Sequence, residues 1–161
     1  MSAPITARDL VEISIEVEKQ GAAFYGCLAA KMPSAEARSL FARMEEEEKE
    51  HSRELHRLLK EVENYQHAEP FPESYYGYLE LLVEDWTCEG EEACALMLRD
   101  IQDEVQACPV ASTFEKRVIL LLHEMRKFVP EDKHGIVEKL LAGEYEHVSR
   151  LHALEQTSQP G

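Results

Sequence analysis

Four long stripes of apolar positions with helical spacing run through this chain. Leu10, Ile13, Val17, Phe24 and Leu28 recur every three or four residues and predict a helix over about residues 7–31. Thr6 is placed to cap it with Asp9 three residues on, and Met32-Pro33 ends it. Ser34 caps a second helix, expected over about 34–65 behind Leu40, Phe41, Met44, Leu55, Leu58 and Val62. A third, over about 104–128, buries Val118, Leu121, Leu122, Met125 and Phe128. Pro130 opens a fourth, over about 131–154, with Ile136, Leu140, Val148, Leu151 and Leu154 inward. Pro109 fits poorly inside the third helix because an interior proline removes a hydrogen bond, so the helix either starts there or bends there.

Between the second and third helices the pattern changes. His67 to Ser74 is turn-rich, and Tyr78–Val83 and Ala93–Leu98 read as two short helices in a crossover over about 66–103. Nothing alternates as a strand would. The fold class is therefore all-α: a four-helix bundle of two antiparallel helix pairs joined by one long helical crossover.

Composition narrows the possibilities. A chain of 161 residues suits a single domain spanning 1–161, and 44% apolar with 30% charged residues is an ordinary globular mix. No apolar run approaches the ~20 residues of a membrane span. Met1-Ser2-Ala3-Pro4 lacks the basic and apolar segments of a secretory signal, so a soluble, cytoplasmic protein is expected. A net charge of −15 argues against nucleic acid and anionic membranes as partners. Cys27, Cys88, Cys94 and Cys108 contain no C-x-x-C spacing and read as free, buried thiols.

Two pairs of residues interrupt the apolar stripes. Glu48 and His51 stand where the stripe of the second helix should continue, and Glu144 and His147 do so in the fourth. Residues three apart share a helix face, so each pair points at the bundle interior. A carboxylate buried alone costs several kcal/mol or takes up a proton, and a cation against it removes that penalty. Glu131 and His134 match the same Glu-x-x-His pattern but lie just after Pro130, outside the stripe, and count as chance.

Repetition separates the two inward pairs from chance. Glu18-Lys19 lies 30 residues before Glu48, and Glu115-Lys116 lies 29 before Glu144. The chain thus contains Glu-Lys…Glu-x-x-His twice, which suggests two helix hairpins related by a pseudo-twofold axis. The candidate metal ligands are Glu18, Glu48, His51, Glu115, Glu144 and His147. Four carboxylates and two imidazoles balance two divalent ions, in a donor set that suits iron or manganese.

Several stretches carry a family resemblance. Glu16 to Tyr25, Glu46 to His51, Phe114-Glu-Lys, Val129 to Asp132 and Glu144-Tyr-Glu-His147 resemble the signatures of the rubrerythrin-like branch of the ferritin-like family, over about residues 7–154. The resemblance implies a ferritin-like bundle with two iron ions, manganese being the other option. Glu48 and Glu144 would bridge the two metals, Glu18 with His51 would complete one, and Glu115 with His147 the other. It also implies an oxidoreductase that reduces a small oxidant, H2O2 or O2, with oxidation of Fe(II) and an external electron donor.

The chain departs from that family in three places. It carries no second domain with paired Cys-x-x-Cys, Gly21 and Val118 stand where rubrerythrins carry an extra glutamate, and Leu121-Leu122 replaces a second Phe-Tyr pair. Non-catalytic iron binding or delivery, and an acidic protein-interaction module with a vestigial site, therefore remain as alternatives.

The remaining side chains have plainer readings. Tyr25 and Tyr145 either orient ligands or sit in core or surface positions. His56, His67, His123 and His152 read as solvated. Of the run Glu45 to Glu48, only Glu48 is expected to turn inward. By analogy with the family a homodimer is expected, with Trp86 and Leu79 exposed on the crossover.

Overall fold

A computed structural model describes residues 4–67, 70–84, 95–96 and 98–160. The elements are α1 (Ala7–Lys31), α2 (Ala35–Val62), α3 (Glu73–Glu84), α4 (Glu104–Arg126), a 3-10 turn (Glu131–Lys133) and α5 (His134–Ser158). No strand occurs among the described residues. Thr6 and Asp9 form a reciprocal capping box at the start of α1, and the Ser34 hydroxyl accepts from the Ala37 N–H at 3.1 Å to start α2.

Local hydrogen bonding sets the helix boundaries, and α4 keeps the expected start near residue 104. α2 stops at Val62, its last buried residue, and Tyr65 donates back to the Val62 carbonyl in a turn. α4 does not begin at Pro109. Asp103 provides the start, its side chain accepting from the Gln106 N–H at 3.0 Å, and the helix runs on through Pro109, which lies exposed. Pro130 introduces a 3-10 turn closed by Lys133 N–H to the Pro130 carbonyl (2.9 Å), so α5 begins only at His134.

α1 and α2 form one antiparallel hairpin through the turn at 32–34, and α4 and α5 form the second. The apolar interior falls into two clusters. One contains Leu10, Val17, Leu55, Leu58, Leu121, Met125 and Leu140; the other contains Phe24, Leu28, Phe41, Met44, Ala111, Leu151 and Leu154. Along every long helix the stripe switches from one cluster to the other at the glutamate or Glu-x-x-His that interrupts it. The polar residues thus form a waist between two greasy ends.

α3 packs across one end. It is laid down by Leu79 and Leu82, three apart on one face, while Tyr78 and Leu81 face outward. Leu79 is fully buried, contrary to the expectation that it lies exposed, because its helical face is the one turned to the core. The Tyr75 hydroxyl donates to Glu124, whose other contact is Lys127 at 2.9 Å, and this ties α3 to the end of α4. Of the second crossover helix expected over 93–98, only residues 95, 96 and 98 are described, and Trp86, Cys88 and Cys94 lie outside the described residues. Cys108 is a buried free thiol, but Cys27 is exposed, since it falls on the solvent side of α1 beside buried Leu28.

Candidate metal centre

Each of the four long helices brings one part of the waist. α1 supplies Glu18, α2 supplies Glu48 and His51, α4 supplies Glu115, and α5 supplies Glu144 and His147. Glu18, Glu48, Glu115, Glu144 and His147 are all at most 1% exposed, and the His51 side chain is 13% exposed. All six residues named from sequence converge on one point. They fall into two groups whose ligand atoms lie within 4.8 Å of one another: Glu18, Glu48, His51 and Glu144, and Glu48, Glu115, Glu144 and His147. Glu48 and Glu144 are common to both groups.

The inward atoms lie within ion-pair range of one another without hydrogen-bond geometry. His51 Nδ1 lies 2.7 Å from Glu144 Oε1, and His147 Nδ1 lies 3.0 Å from both Glu48 Oε1 and Glu144 Oε2. None of these approaches has hydrogen-bond direction. Nine buried side-chain atoms from the six residues lack a hydrogen-bond partner: both oxygens of Glu18, Glu48 and Glu144, one of Glu115, and Nδ1 of each histidine. Unpartnered buried polar atoms are rare and each is expensive. Nine aimed at one small volume fit divalent cations, and the oxygen and imidazole donors match the chemistry of iron or manganese.

The clustered carboxylates and imidazoles shift one another's protonation. Burial, and then Glu18 and Glu144, push the Glu48 carboxyl well above its usual range. Burial and Glu144 raise Glu115 to about 7, with His147 pulling the other way. Burial works against a proton on His51, yet Glu144 and Glu18 lift it to about 10. His147 is raised too, against its burial, by Glu115, Glu144 and Glu48. Metal ligands must shed their protons to bind, so a cation in this cluster would compete with these protons.

Around these six residues stands a second layer. The Tyr25 hydroxyl, fully buried, donates to Glu115 Oε1 and fixes that carboxylate. Tyr145 is elsewhere: it is half exposed and pairs with His123 at 3.0 Å. Glu47 was expected on a solvated face, but Glu47 Oε2 lies 2.9 Å from His147 Nε2 and 2.6 Å from Arg150. Its only sequence signal is adjacency to Glu48; which helix it reaches depends on how α2 and α5 cross. Gly21 is filled from α4, since a Cβ there would meet the Phe114 ring at 3.0 Å and Glu48 Oε2 at 3.3 Å. Glu131 is exposed and His134 sits near the Val129 carbonyl, so neither joins the waist.

No protein-family model matches the sequence, and no curated protein matches it. One solved structure does, that of a protein from Thermotoga maritima described as a ferritin-like diiron-carboxylate protein. It superposes with a TM-score of 0.69 over 99% of this chain and 100% of that one, at 20% sequence identity. The fold of the present chain is thus ferritin-like. No helix among the described residues is long and apolar enough to cross a membrane.

Proposed function

We propose that this ferritin-like chain is a di-iron carboxylate protein that reduces a small oxidant, H2O2 or O2, as Fe(II) is oxidised. The observation that supports it is the pair of ligand groups sharing Glu48 and Glu144, built from nine buried atoms with no other partner. Glu18 and His51 would complete one metal position and Glu115 and His147 the other, with Glu48 and Glu144 between them. Two bound iron ions would supply two electrons and Lewis acidity to the oxidant.

The protein's own contribution is positional. Tyr25 holds Glu115, Glu47 holds His147, and the apolar clusters at either end exclude bulk water from the carboxylates. Iron is preferred to manganese on the likeness to a protein described as diiron. Re-reduction would fall to an external donor.

The test is anaerobic loading with Fe(II) followed by rapid mixing with H2O2 and, separately, O2. Oxidation of two iron equivalents per chain, faster than free Fe(II) under the same conditions, is the expected result. Oxidation no faster than free Fe(II) with both oxidants removes the oxidoreductase reading and leaves iron binding. Less than one transition metal per chain after loading removes the metal centre itself.

A further inference from the structure

The internal repeat breaks at the residue before each shared glutamate. On α2 that residue is Glu47, and on α5 it is Gly143. With Nδ1 of each histidine directed inward, Nε2 carries the outward N–H. His147 Nε2 donates that N–H across the bundle to Glu47 Oε2 at 2.9 Å. Glu47 is itself clamped, by Arg150 on Oε2 at 2.6 Å and by Arg43 on Oε1 at 3.0 Å.

His51 receives no matching support, because Gly143 has no side chain to offer. Its Nε2 makes no hydrogen bond to a described residue. The ring instead occupies the room that the glycine leaves, and a Cβ at 143 would lie only 2.6 Å from Nε2. His51 also lines a cavity of about 260 Å³ on the seam between α2 and α5, walled by Glu50, Glu54, Lys139 and Gly143 at its own end and by the Glu47–Arg150 pair at the other. The opposite side of the centre is closed by Phe114 packed over Gly21 and by buried Tyr25. His147 borders the cavity too, but its side chain is only 1% exposed.

We infer that the two metal positions are kinetically inequivalent: ions enter and leave through the α2–α5 cavity at His51, while the His147 position is pinned by Glu47 and exchanges slowly. This rests on the proposed metal centre and adds the order of exchange and the residue that sets it. A histidine ligand with no hydrogen bond on its outward edge can swing into the adjoining cavity and carry its ion off. One hydrogen-bonded to a doubly clamped carboxylate cannot do so without breaking that bond. Removing such an outer partner commonly weakens metal retention by ~10–100-fold.

The experiment uses the full chain loaded with two equivalents of Co(II), a coloured and paramagnetic probe, then mixed with excess EDTA. The expected release has two phases of one ion each, at least about tenfold apart in rate. Glu47→Ala should accelerate the slow phase by a similar factor and leave the fast one unchanged. Glu47→Gln, which keeps an acceptor oxygen and the side-chain shape, should fall between and serves if the alanine variant does not fold. The proton NMR spectrum of the Co(II) protein should show one hyperfine-shifted imidazole N–H protected from water, lost in Glu47→Ala.

Single-phase release of two ions from the unmodified chain overturns the inference alone. So does a Glu47 variant that changes only the fast phase, or neither phase, or keeps the protected N–H. A chain that takes up less than one Co(II) overturns the metal centre and this inference with it.

Discussion

The two hairpins carry the same ligand pattern and surround it differently. In α1–α2 the imidazole of His51 faces a glycine and a cavity; in α4–α5 the imidazole of His147 faces a clamped carboxylate. The carboxylates differ too, since Glu115 is fixed by Tyr25 while both Glu18 oxygens lack a hydrogen-bond partner. A pseudo-twofold repeat therefore fixes which residues face the centre without fixing how firmly each is held. The firmness comes from residues outside the repeat, contributed across the bundle by the other hairpin.

The largest effect should come from removing what the two halves share. Glu48→Ala combined with Glu144→Ala takes a ligand from both positions and should reduce bound metal from two ions to well under one per chain, by metal analysis of the purified protein. Circular dichroism of the double variant shows whether the bundle persists, so that metal loss is read at the site. Metal retained by the double variant would place the ligands elsewhere.

A smaller change should separate the halves. Gly143→Ala puts a Cβ only 2.6 Å from His51 Nε2 and forces that ring away from its Nδ1 contact with Glu144. One ion per chain should be lost and the other retained, with Co(II) absorption near half that of the unmodified chain. Loss of both ions, or of neither, would mean that the two positions do not stand or fall separately.

The mildest expected effect concerns pH. In the metal-free chain His51 is raised from 6.5 to about 10 and Glu115 from 4.5 to about 7. Both groups hold protons more tightly folded than unfolded, so the folded state binds more protons and stability falls as pH rises. The stability from Glu115 is complete below 4.5 and lost by about 7, and that from His51 is complete below 6.5 and lost by about 10. Metal loading reverses the sign, since the ligands must shed protons to bind. The Tm of metal-free protein should drop between about pH 5 and pH 9 while that of loaded protein rises from about pH 5 to pH 8. Parallel curves would show that protons and metal do not compete for this waist.

Much of this was legible in the chain because it depends on neighbours within a turn or two of helix. Thr6 with Asp9 and Ser34 cap the helices expected of them, and the interrupted stripes put six polar residues inward. Where local signals competed, sequence reading slipped. Pro130 suggested a helix start, but a 3-10 turn delayed α5 to His134, whereas α4 starts near the expected residue 104 and carries Pro109 inside it. Leu79 and Cys27 were assigned the wrong environment because a helix's apolar period does not say which flank a neighbouring element will cover.

The sequence by itself determined the helices, the repeat and the convergence of Glu18, Glu48, His51, Glu115, Glu144 and His147, since helical periodicity alone turns them to one side. Only the tertiary structure decided that Glu47 reaches His147, that Phe114 fills the space over Gly21, and that His51 borders a cavity. Those contacts join residues 92 to 100 positions apart, and they depend on how helices cross and which rotamers fill the gaps. Such distances lie beyond any local pattern, so the Glu47 and Gly143 that make the two metal positions unequal were visible as letters and acquired meaning only in the packed bundle.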